Sequence, residues 1–353
     1  MFAILLLSIG LSSGQIADDD STSIRKLKIG GYIDSYFGSS LYSAKKIDRP
    51  YFVSSSGNNE ANINLAFLET RWRGDRFRFN VVPAMGSYMR RNYAAEKEIH
   101  KYIFEANAGL KLSDKLNIWL DGGIFDSPYS SEGAVSRDQL LYSRSFAPEH
   151  VPYYLTGLRL TIKPNDKWSL MIMRLNGWQQ ITDLNFKKSI GTSLTVKTGE
   201  FSNIIWNTYL GDERSESNPD FRMRIFNDLY IKISDQKLWD AAIGGYIGTQ
   251  QRENKNASPW WQFNVMGKRQ INNFISLSGR VEYFSDPRQV MIHIPDTEFK
   301  VFSTGTCLNL NVGKTTLLRI DSRFFSATEK IYSQRNGKSD KELVLTASLT
   351  SWF

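Results

Sequence analysis

The chain has 353 residues, and its formal net charge is +8. Its Lys and Arg residues are spread singly rather than in tracts, which argues against nucleic-acid binding. The single cysteine, Cys307, excludes an intramolecular disulfide. Mean hydropathy is −0.36, a value typical of soluble proteins, although membrane β-barrels share this range because only alternate residues face lipid.

The first residues predict a secretory signal. Residues 1–11 are almost wholly apolar, a run too short to span a bilayer as a helix, and Ser12, Ser13 and Gly14 suit signal peptidase. We therefore predict a Sec signal peptide at 1–14, a short tail at 15–25 and one barrel domain at 26–353. The usual Lys or Arg ahead of the apolar run is missing, and a buried N-terminal strand is the alternative.

Period-two alternation of apolar and polar residues recurs along the rest of the chain. It is clear in residues 116–121, 158–163, 275–282 and 318–321. Such alternation is typical of strands with one apolar face. The local pattern fits a soluble sandwich as well as a barrel with lipid outside and water inside.

Residues 62–72 have no unique face assignment. Either Leu65 and Phe67 or Ala66 and Leu68 could point outward. A β-bulge would explain the ambiguity, because one extra residue shifts the alternation.

Short and long connections alternate along the chain. Tight polar turns are predicted at 74–75, 113–115, 164–167, 199–202, 234–236, 270–273 and 313–314. Longer loops are predicted at 39–60, 86–100, 125–152, 178–189, 211–219, 250–258, 285–297 and 327–340. This is the layout of an outer-membrane barrel with periplasmic turns and extracellular loops. It predicts an all-β fold, a transmembrane antiparallel up-and-down β-barrel of about sixteen strands.

The last strand supports the membrane assignment. Leu343, Leu345 and Leu349 share one face, and the sequence given ends on Trp352-Phe353. An aromatic C-terminus resembles the signal read by the barrel-assembly machinery, so Phe353 is a candidate contact for it. Trp residues lie near predicted strand ends, where interfacial belts would place them, at Trp72, Trp168, Trp206, Trp239, Trp261 and Trp352; Trp119 is the exception and is predicted to face inward. We expect outer-membrane lipid around the barrel, in a Gram-negative bacterium.

On the predicted strands, the residues on the face opposite the lipid-facing one include many charged side chains. These residues predict a hydrated lumen. Bases slightly outnumber acids there, which predicts a mild anion preference. The alternative is that these charges pair across strands to hold register. The predicted pore-lining residues are Arg78, Asp121, Arg159, Arg222, Arg224, Arg280, Glu282, Arg319, Asp321 and Arg323.

The longest predicted loop, residues 125–151, could act as a constriction. It follows the fifth predicted strand. Folded inward, its acids could face Arg78, Arg319 and Arg323 across the lumen and create a transverse field. A mobile surface loop is the alternative. The candidate constriction residues are Asp126, Glu132, Arg137, Asp138 and Arg144.

Catalytic motifs are scarce. The three histidines, His100, His150 and His293, lie in predicted loops or at strand ends, and no nucleophile elbow, H-E-x-x-H pair or paired cysteine motif occurs. We predict that the chain is not an enzyme and needs neither a metal nor a cofactor. A Ser–His hydrolase at the barrel rim is the remaining alternative.

Several short motifs resemble one family. They are residues 30–37 (GGYIDSYF), 143–146 (SRSF), 152–159 (PYYLTGLR) and 176–178 (NGW). In these segments the chain is similar to the putative β-barrel porins described as OmpL-like, which occur in Bacteroidota. The resemblance implies an outer-membrane channel and carries over no site residues.

We therefore predict an outer-membrane porin, a water-filled channel for passive diffusion of small hydrophilic solutes. A plugged barrel acting as an adhesin or surface anchor is the first alternative. A soluble secreted carbohydrate-binding β-sandwich is the second. Alternation does not determine the oligomeric state; porins of this size are often homotrimers.

Overall fold

The computed structural model describes residues 26–42, 48–235, 237–294, 297–334 and 337–353. The predicted signal peptide 1–14 and tail 15–25 lie outside them. Within the described residues, sixteen strands form one closed antiparallel barrel in which β1 pairs with the last strand, and a small hairpin (β16, β17) lies in the final long loop. The strands are β1 (Lys26–Ser40), β2 (Glu60–Arg73), β3 (Phe77–Met85), β4 (Ile103–Ser113), β5 (Ile118–Asp126), β6 (Tyr154–Asn165), β7 (Trp168–Leu175), β8 (Ser189–Lys197), β9 (Ser202–Asp212), β10 (Phe221–Ser234), β11 (Trp239–Arg252), β12 (Lys255–Gln270), β13 (Ile275–Asp286), β14 (Phe299–Asn311), β15 (Thr316–Ala327), β16 (Tyr332–Gln334), β17 (Gly337–Ser339) and β18 (Lys341–Trp352). The predicted fold class and strand number are confirmed.

Helical segments are short and lie in the connections. They are α1 (Ser87–Asn92), α2 (Phe146–Glu149) and two 3₁₀ turns, Glu98–Tyr102 and Ser136–Asp138. None of the helices in the described part of the chain is both long enough and apolar enough to span a bilayer.

The alternating rows distinguish a membrane barrel from a soluble sandwich. On β18, Leu345 and Leu349 are 40% and 48% exposed, whereas Thr346 and Thr350 are 2% and 0% exposed. The outer face is thus apolar and the inner face polar, the reverse of a water-soluble protein. Burial of the outer row requires a lipid environment.

The short turns join strands where the sequence predicts them, but one predicted long loop is absent. Residues 250–258 were expected to form a loop; instead, β11 and β12 continue and pair up to Arg252 and Lys255. Only Glu253 and Asn254 connect them, and Asn254 has φ of 53°, a conformation that asparagine tolerates. The polar composition of this hairpin tip resembles that of a loop, which is why the prediction was wrong.

Strand β2, which includes the residues 62–72 that had no unique face assignment, contains the expected β-bulge. The register of β1 and β2 shifts between Asp34 and Ser35, which pair with Leu65 and Ile63 and leave Asn64 as the extra residue. The Asn64 amide donates a 2.9 Å hydrogen bond to Asp34, inside the barrel. The bulge therefore turns Asn64 and Leu65 inward together and leaves Leu68 facing outward.

Candidate functional site

Residues 127–153, between β5 and β6, turn into the barrel; we call them the inward loop. Asn207 on β9 donates to the Pro128 carbonyl at 2.9 Å, and Tyr230 on β10 donates to the same oxygen at 3.2 Å. Farther along the loop, the hydroxyls of Ser136 and Tyr32 on β1 share a 2.7 Å hydrogen bond. The loop thus extends across the lumen from one part of the wall to another.

Arginines of the wall bind the inward loop through its carbonyl groups. Arg319 donates to the Ser136 carbonyl at 2.7 Å, and Arg280 donates to the Ser143 carbonyl at 2.8 Å. Arg323 donates to the carbonyl of Arg144. Guanidinium groups suit this task because each offers five donors in a fixed geometry. Three predicted lumen residues are thereby engaged by the loop.

Carboxylates complete the contact between loop and wall. Glu282 accepts a hydrogen bond of 2.7 Å from the Phe146 amide and another from Arg323. Glu132 accepts from the Ser145 amide at 3.1 Å and forms an ion pair with Arg280 at 3.4 Å. Because these groups are almost fully buried, each charge depends on its partners for stabilisation.

The arginines expected to face the loop acids have their hydrogen-bond partners elsewhere, and the transverse field stays a prediction. Arg78 donates to Asp121 of the barrel wall, at 2.7 and 2.6 Å, and not to an acid of the inward loop. Arg319 and Arg323 meet the loop at carbonyls. Arg280 differs from these three arginines, because it pairs with the loop acid Glu132 at 3.4 Å and lies 3.6 Å from Glu282 of β13.

The residues predicted to form the constriction do not share one environment. Asp126 is the last residue of β5, outside the inward loop, and is opposite Tyr154. Arg137 pairs with Asp138 at 3.5 Å and lies over the ring of Tyr32. Arg144 donates to carbonyls of the loop itself, at Gly133 (2.6 Å) and Ala134 (2.8 Å). Arg144 therefore holds the loop's own shape.

Toward the short-turn end, the lumen carries ion pairs in which the base is the more exposed partner. Side-chain exposure is 12% for Arg78 and 1% for Asp121, and 16% for Arg71 against 4% for Glu105. Gly109 allows the first pair, since a Cβ there would lie 2.1 Å from an Asp121 oxygen. In the pairs Lys268–Asp240 and Arg159–Asp121, the basic side chain is likewise more exposed than the carboxylate. The charges nearest lumen water at this end are therefore positive.

Arg71 and Lys268 were not among the residues singled out from the sequence. Both lie on the inner face, and both pair with inner-face carboxylates. Extending the period-two rows of β2 and β12 would have found them. The bulge in β2 obscured that row.

Two predicted lumen arginines lie toward the long-loop end. The guanidinium carbon of Arg224 lies over the rings of Trp178 and Trp260, 4.9 and 5.4 Å from their centroids. Arg222, by contrast, binds Glu253 and the Pro219 carbonyl at the rim. A register shift between Phe221 and Arg224 breaks the alternation that had placed Arg222 in the lumen row.

Helix α2 connects the inward loop to residues 51–56 of the first long connection. Burial raises the pKa of the Glu149 carboxyl, while hydrogen bonds from Val53, Ser54 and Tyr153 act against that rise. Burial also lowers the pKa of His150 to about 3, and the charge of Arg323 adds to this effect. His150 is thus neutral at physiological pH, and it packs on Phe284 with 5.0 Å between ring centroids.

The described residues contain no group of three or more His, Cys, Asp or Glu side chains that could hold a metal ion. Cys307 is buried.

Comparison with known proteins identifies the family to which this barrel belongs. The sequence model of the family described as "Putative beta-barrel porin-2, OmpL-like" matches residues 26–353. The chain belongs to this OmpL-like porin family. It is therefore an outer-membrane porin, and its barrel is a channel. No curated protein matches its sequence.

Solved structures share the barrel of this OmpL-like porin at very low sequence identity. The outer-membrane channel DcaP of Acinetobacter baumannii has a TM-score of 0.63 at 9% identity, over 96% of this chain and 100% of that one. A loop-L8 deletion mutant of OmpT from Vibrio cholerae has a TM-score of 0.62 at 7% identity (93% and 99%). An anion-selective porin from Comamonas acidovorans has a TM-score of 0.60 at 7% identity (94% and 100%). These likenesses show a common fold.

Proposed function

We propose that the channel serves passive diffusion of small hydrophilic solutes and mildly prefers anions. One observation supports the preference for anions. In the ion pairs of the lumen, the basic side chains Arg71, Arg78 and Lys268 are more exposed than their carboxylate partners. Charges nearest the water act most strongly on a passing ion. A solved porin with this fold is described as anion-selective, which agrees with the proposal.

We assign the passage to the wall residues Arg78, Asp121 and Arg159, with the inward loop as the constriction. Arg280, Glu282, Arg319, Asp321 and Arg323 would hold that loop against the wall, and Arg224 would lie toward the long-loop entrance. This assignment follows from their contacts with the loop or with one another.

A planar-bilayer experiment under a salt gradient tests the proposal. We expect discrete open steps and a reversal potential that indicates a chloride-to-potassium permeability ratio modestly above one. Lys268→Gln should shift that ratio toward potassium, because it leaves the Asp240 charge without its partner. Lys255→Gln, at the exposed rim, is the matched control and should leave the ratio unchanged.

A plugged barrel is the second candidate function, and the dense packing of the inward loop favours it. Leu141, Ser145 and Phe146 of the loop are completely buried. Correctly folded protein that produces no conductance steps would contradict the diffusion channel and support the plugged anchor. We propose no catalytic activity for either form.

Phe353 is proposed to be the contact for the barrel-assembly machinery. Phe353 is 75% exposed, while its backbone N–H and C=O form hydrogen bonds with Gly31. We expect Phe353→Ala to lower the amount of barrel in the outer membrane, measured by cell fractionation, and to leave the stability of refolded protein unchanged. Phe302→Ala, on the lipid-facing side of β14, is the control and should assemble normally. Equal membrane levels for both variants would contradict this role.

We further propose export through the Sec pathway by the signal at 1–14, a single barrel domain at 26–353, and a Gram-negative host. A homotrimer is proposed because a structural neighbour, OmpT of Vibrio cholerae, is described in a trimer form. Outer-membrane lipid would surround the apolar outer rows.

A further inference from the structure

The lipid-facing surface of β8, β9 and β10 carries a short row of polar side chains. Thr192, Thr208 and Asn227 are cross-strand neighbours, one on each strand. Their side chains point outward, because the residues directly before and after each of them are buried. Each lies between apolar lipid-facing residues of its own strand, as Asn227 does between Ile225 and Leu229. The row therefore lies inside the apolar band of the barrel and not at its edge.

The carboxamide of Asn227 has no hydrogen-bond partner among the described residues. The hydroxyls of Thr192 and Thr208, by contrast, share a hydrogen bond of 2.7 Å. A carboxamide offers two donors and an acceptor oxygen, and Asn227 is exposed. Acyl chains have no hydrogen-bonding groups, so an unpaired amide in this band is unfavourable. A polar partner from outside the chain is therefore expected at Asn227.

Asn227 borders a groove in the same surface. Gly245 of β11 also borders it, and a Cβ at Gly245 would lie 2.7 Å from the carbonyl oxygen of Gln262, so a side chain there would require the strands to shift. The carboxylate of Asp228 points away from the groove into the barrel, where it accepts from Asn207 at 2.8 Å. The exposed side chains around the groove are apolar, namely Leu194, Trp206, Leu229, Ile247, Trp261 and Phe263. The groove is thus an uncharged surface with an unpaired amide beside it.

We propose that this face is a contact between copies of this chain, in which Asn227 binds Asn227 of the partner subunit. A carboxamide is complementary to itself, since the NH₂ of one group donates to the oxygen of the next. Symmetric oligomers bring the same surface of each subunit together, and at the symmetry axis the same residue of each copy. Since the exposed lining is uncharged, two such surfaces approach without repulsion. The contact rests on the self-association proposed above and is independent of conduction.

Cysteine cross-linking in native outer membranes tests this face. Asn227→Cys is made in a Cys307→Ser background, so that it supplies the only thiol, and the membranes are treated with a short bis-maleimide linker. We expect a covalent dimer on a denaturing gel, because position 227 of one copy meets position 227 of the next. Leu68→Cys in the same background is the matched control. Leu68 is exposed on β2, on the opposite side of the barrel from β10, and this variant should stay monomeric.

A second measurement removes the amide and leaves the face apolar. We expect Asn227→Leu to raise the dissociation constant of the oligomer about tenfold, measured by analytical ultracentrifugation in mild detergent, because polar side chains that bond between membrane segments stabilise association. Thr306→Val, which removes an exposed hydroxyl from the lipid-facing row of β14, is the control and should leave that constant unchanged.

Two results would overturn the contact. They are a covalent dimer from Leu68→Cys but not from Asn227→Cys, and wild-type association of Asn227→Leu. A wild-type chain that is monomeric in detergent, with no cross-linking at either position, would overturn the homotrimer as well. Folded protein without conductance steps would contradict the diffusion channel, while the cross-link at position 227 would remain.

Discussion

Replacing residues 130–146 with a short Gly-Ser linker is expected to raise the single-channel conductance several-fold. The inward loop occupies the middle of the lumen, and its removal leaves a sixteen-stranded barrel, which is wide enough for an open aqueous channel. The wall groups released, among them Arg280, Arg319 and Glu282, would exchange loop partners for water and remain solvated. Conductance in a planar bilayer measures the result.

The control for this deletion shortens a loop outside the barrel. Residues 214–218 connect β9 to β10 and are mostly exposed, so their replacement should leave conductance unchanged. Heat-dependent migration on a denaturing gel checks that both variants are folded. If a folded variant without residues 130–146 conducts like the wild type, the loop is not the constriction.

Glu282→Gln is expected to lower the free energy of unfolding by about 3 kcal/mol, because removing one charge of a buried ion pair leaves the other uncompensated. Glu282 accepts from Arg323 and from the Phe146 amide, and it lies 3.6 Å from Arg280. The amide keeps the shape of the side chain but removes its charge. Unfolding in denaturant, followed by tryptophan fluorescence, gives the free energy.

Glu298→Gln is the matched control, since Glu298 pairs with Lys300 at the surface and exposed pairs contribute about 0–1 kcal/mol. A loss below about 1 kcal/mol for Glu282→Gln would show that the loop contact contributes little. In the variant lacking 130–146, the same substitution should cost much less, because the Phe146 amide is gone and water reaches the pair. That difference is the coupling energy between Glu282 and the loop.

The inner surface shows how far local sequence information extends. Alternation assigned most wall residues to the correct face, since successive side chains of a strand point to opposite sides. It was wrong at Arg222, where a register shift intervenes, and ambiguous around Asn64, where a bulge adds a residue. Both departures depend on the neighbouring strand, which a single segment does not encode.

The choice of charge partners also lies beyond local patterns. Ser136 and Arg319 are 183 positions apart, yet one accepts a hydrogen bond from the other. Arg78 binds Asp121 rather than a loop acid because Gly109 leaves room for that carboxylate. With many charges along the inner rows, only the closed barrel determines which of them come within hydrogen-bond distance.

By itself, the sequence determined the fold class, the strand number, most of the outward and inward rows and the positions of the short turns. Each of these follows from a period of two residues or from the composition of a few adjacent positions. The tertiary structure decided the course of the inward loop and its anchoring by Arg280, Arg319 and Arg323. These features arise from contacts between residues far apart in sequence, and such contacts exist only after the barrel has closed.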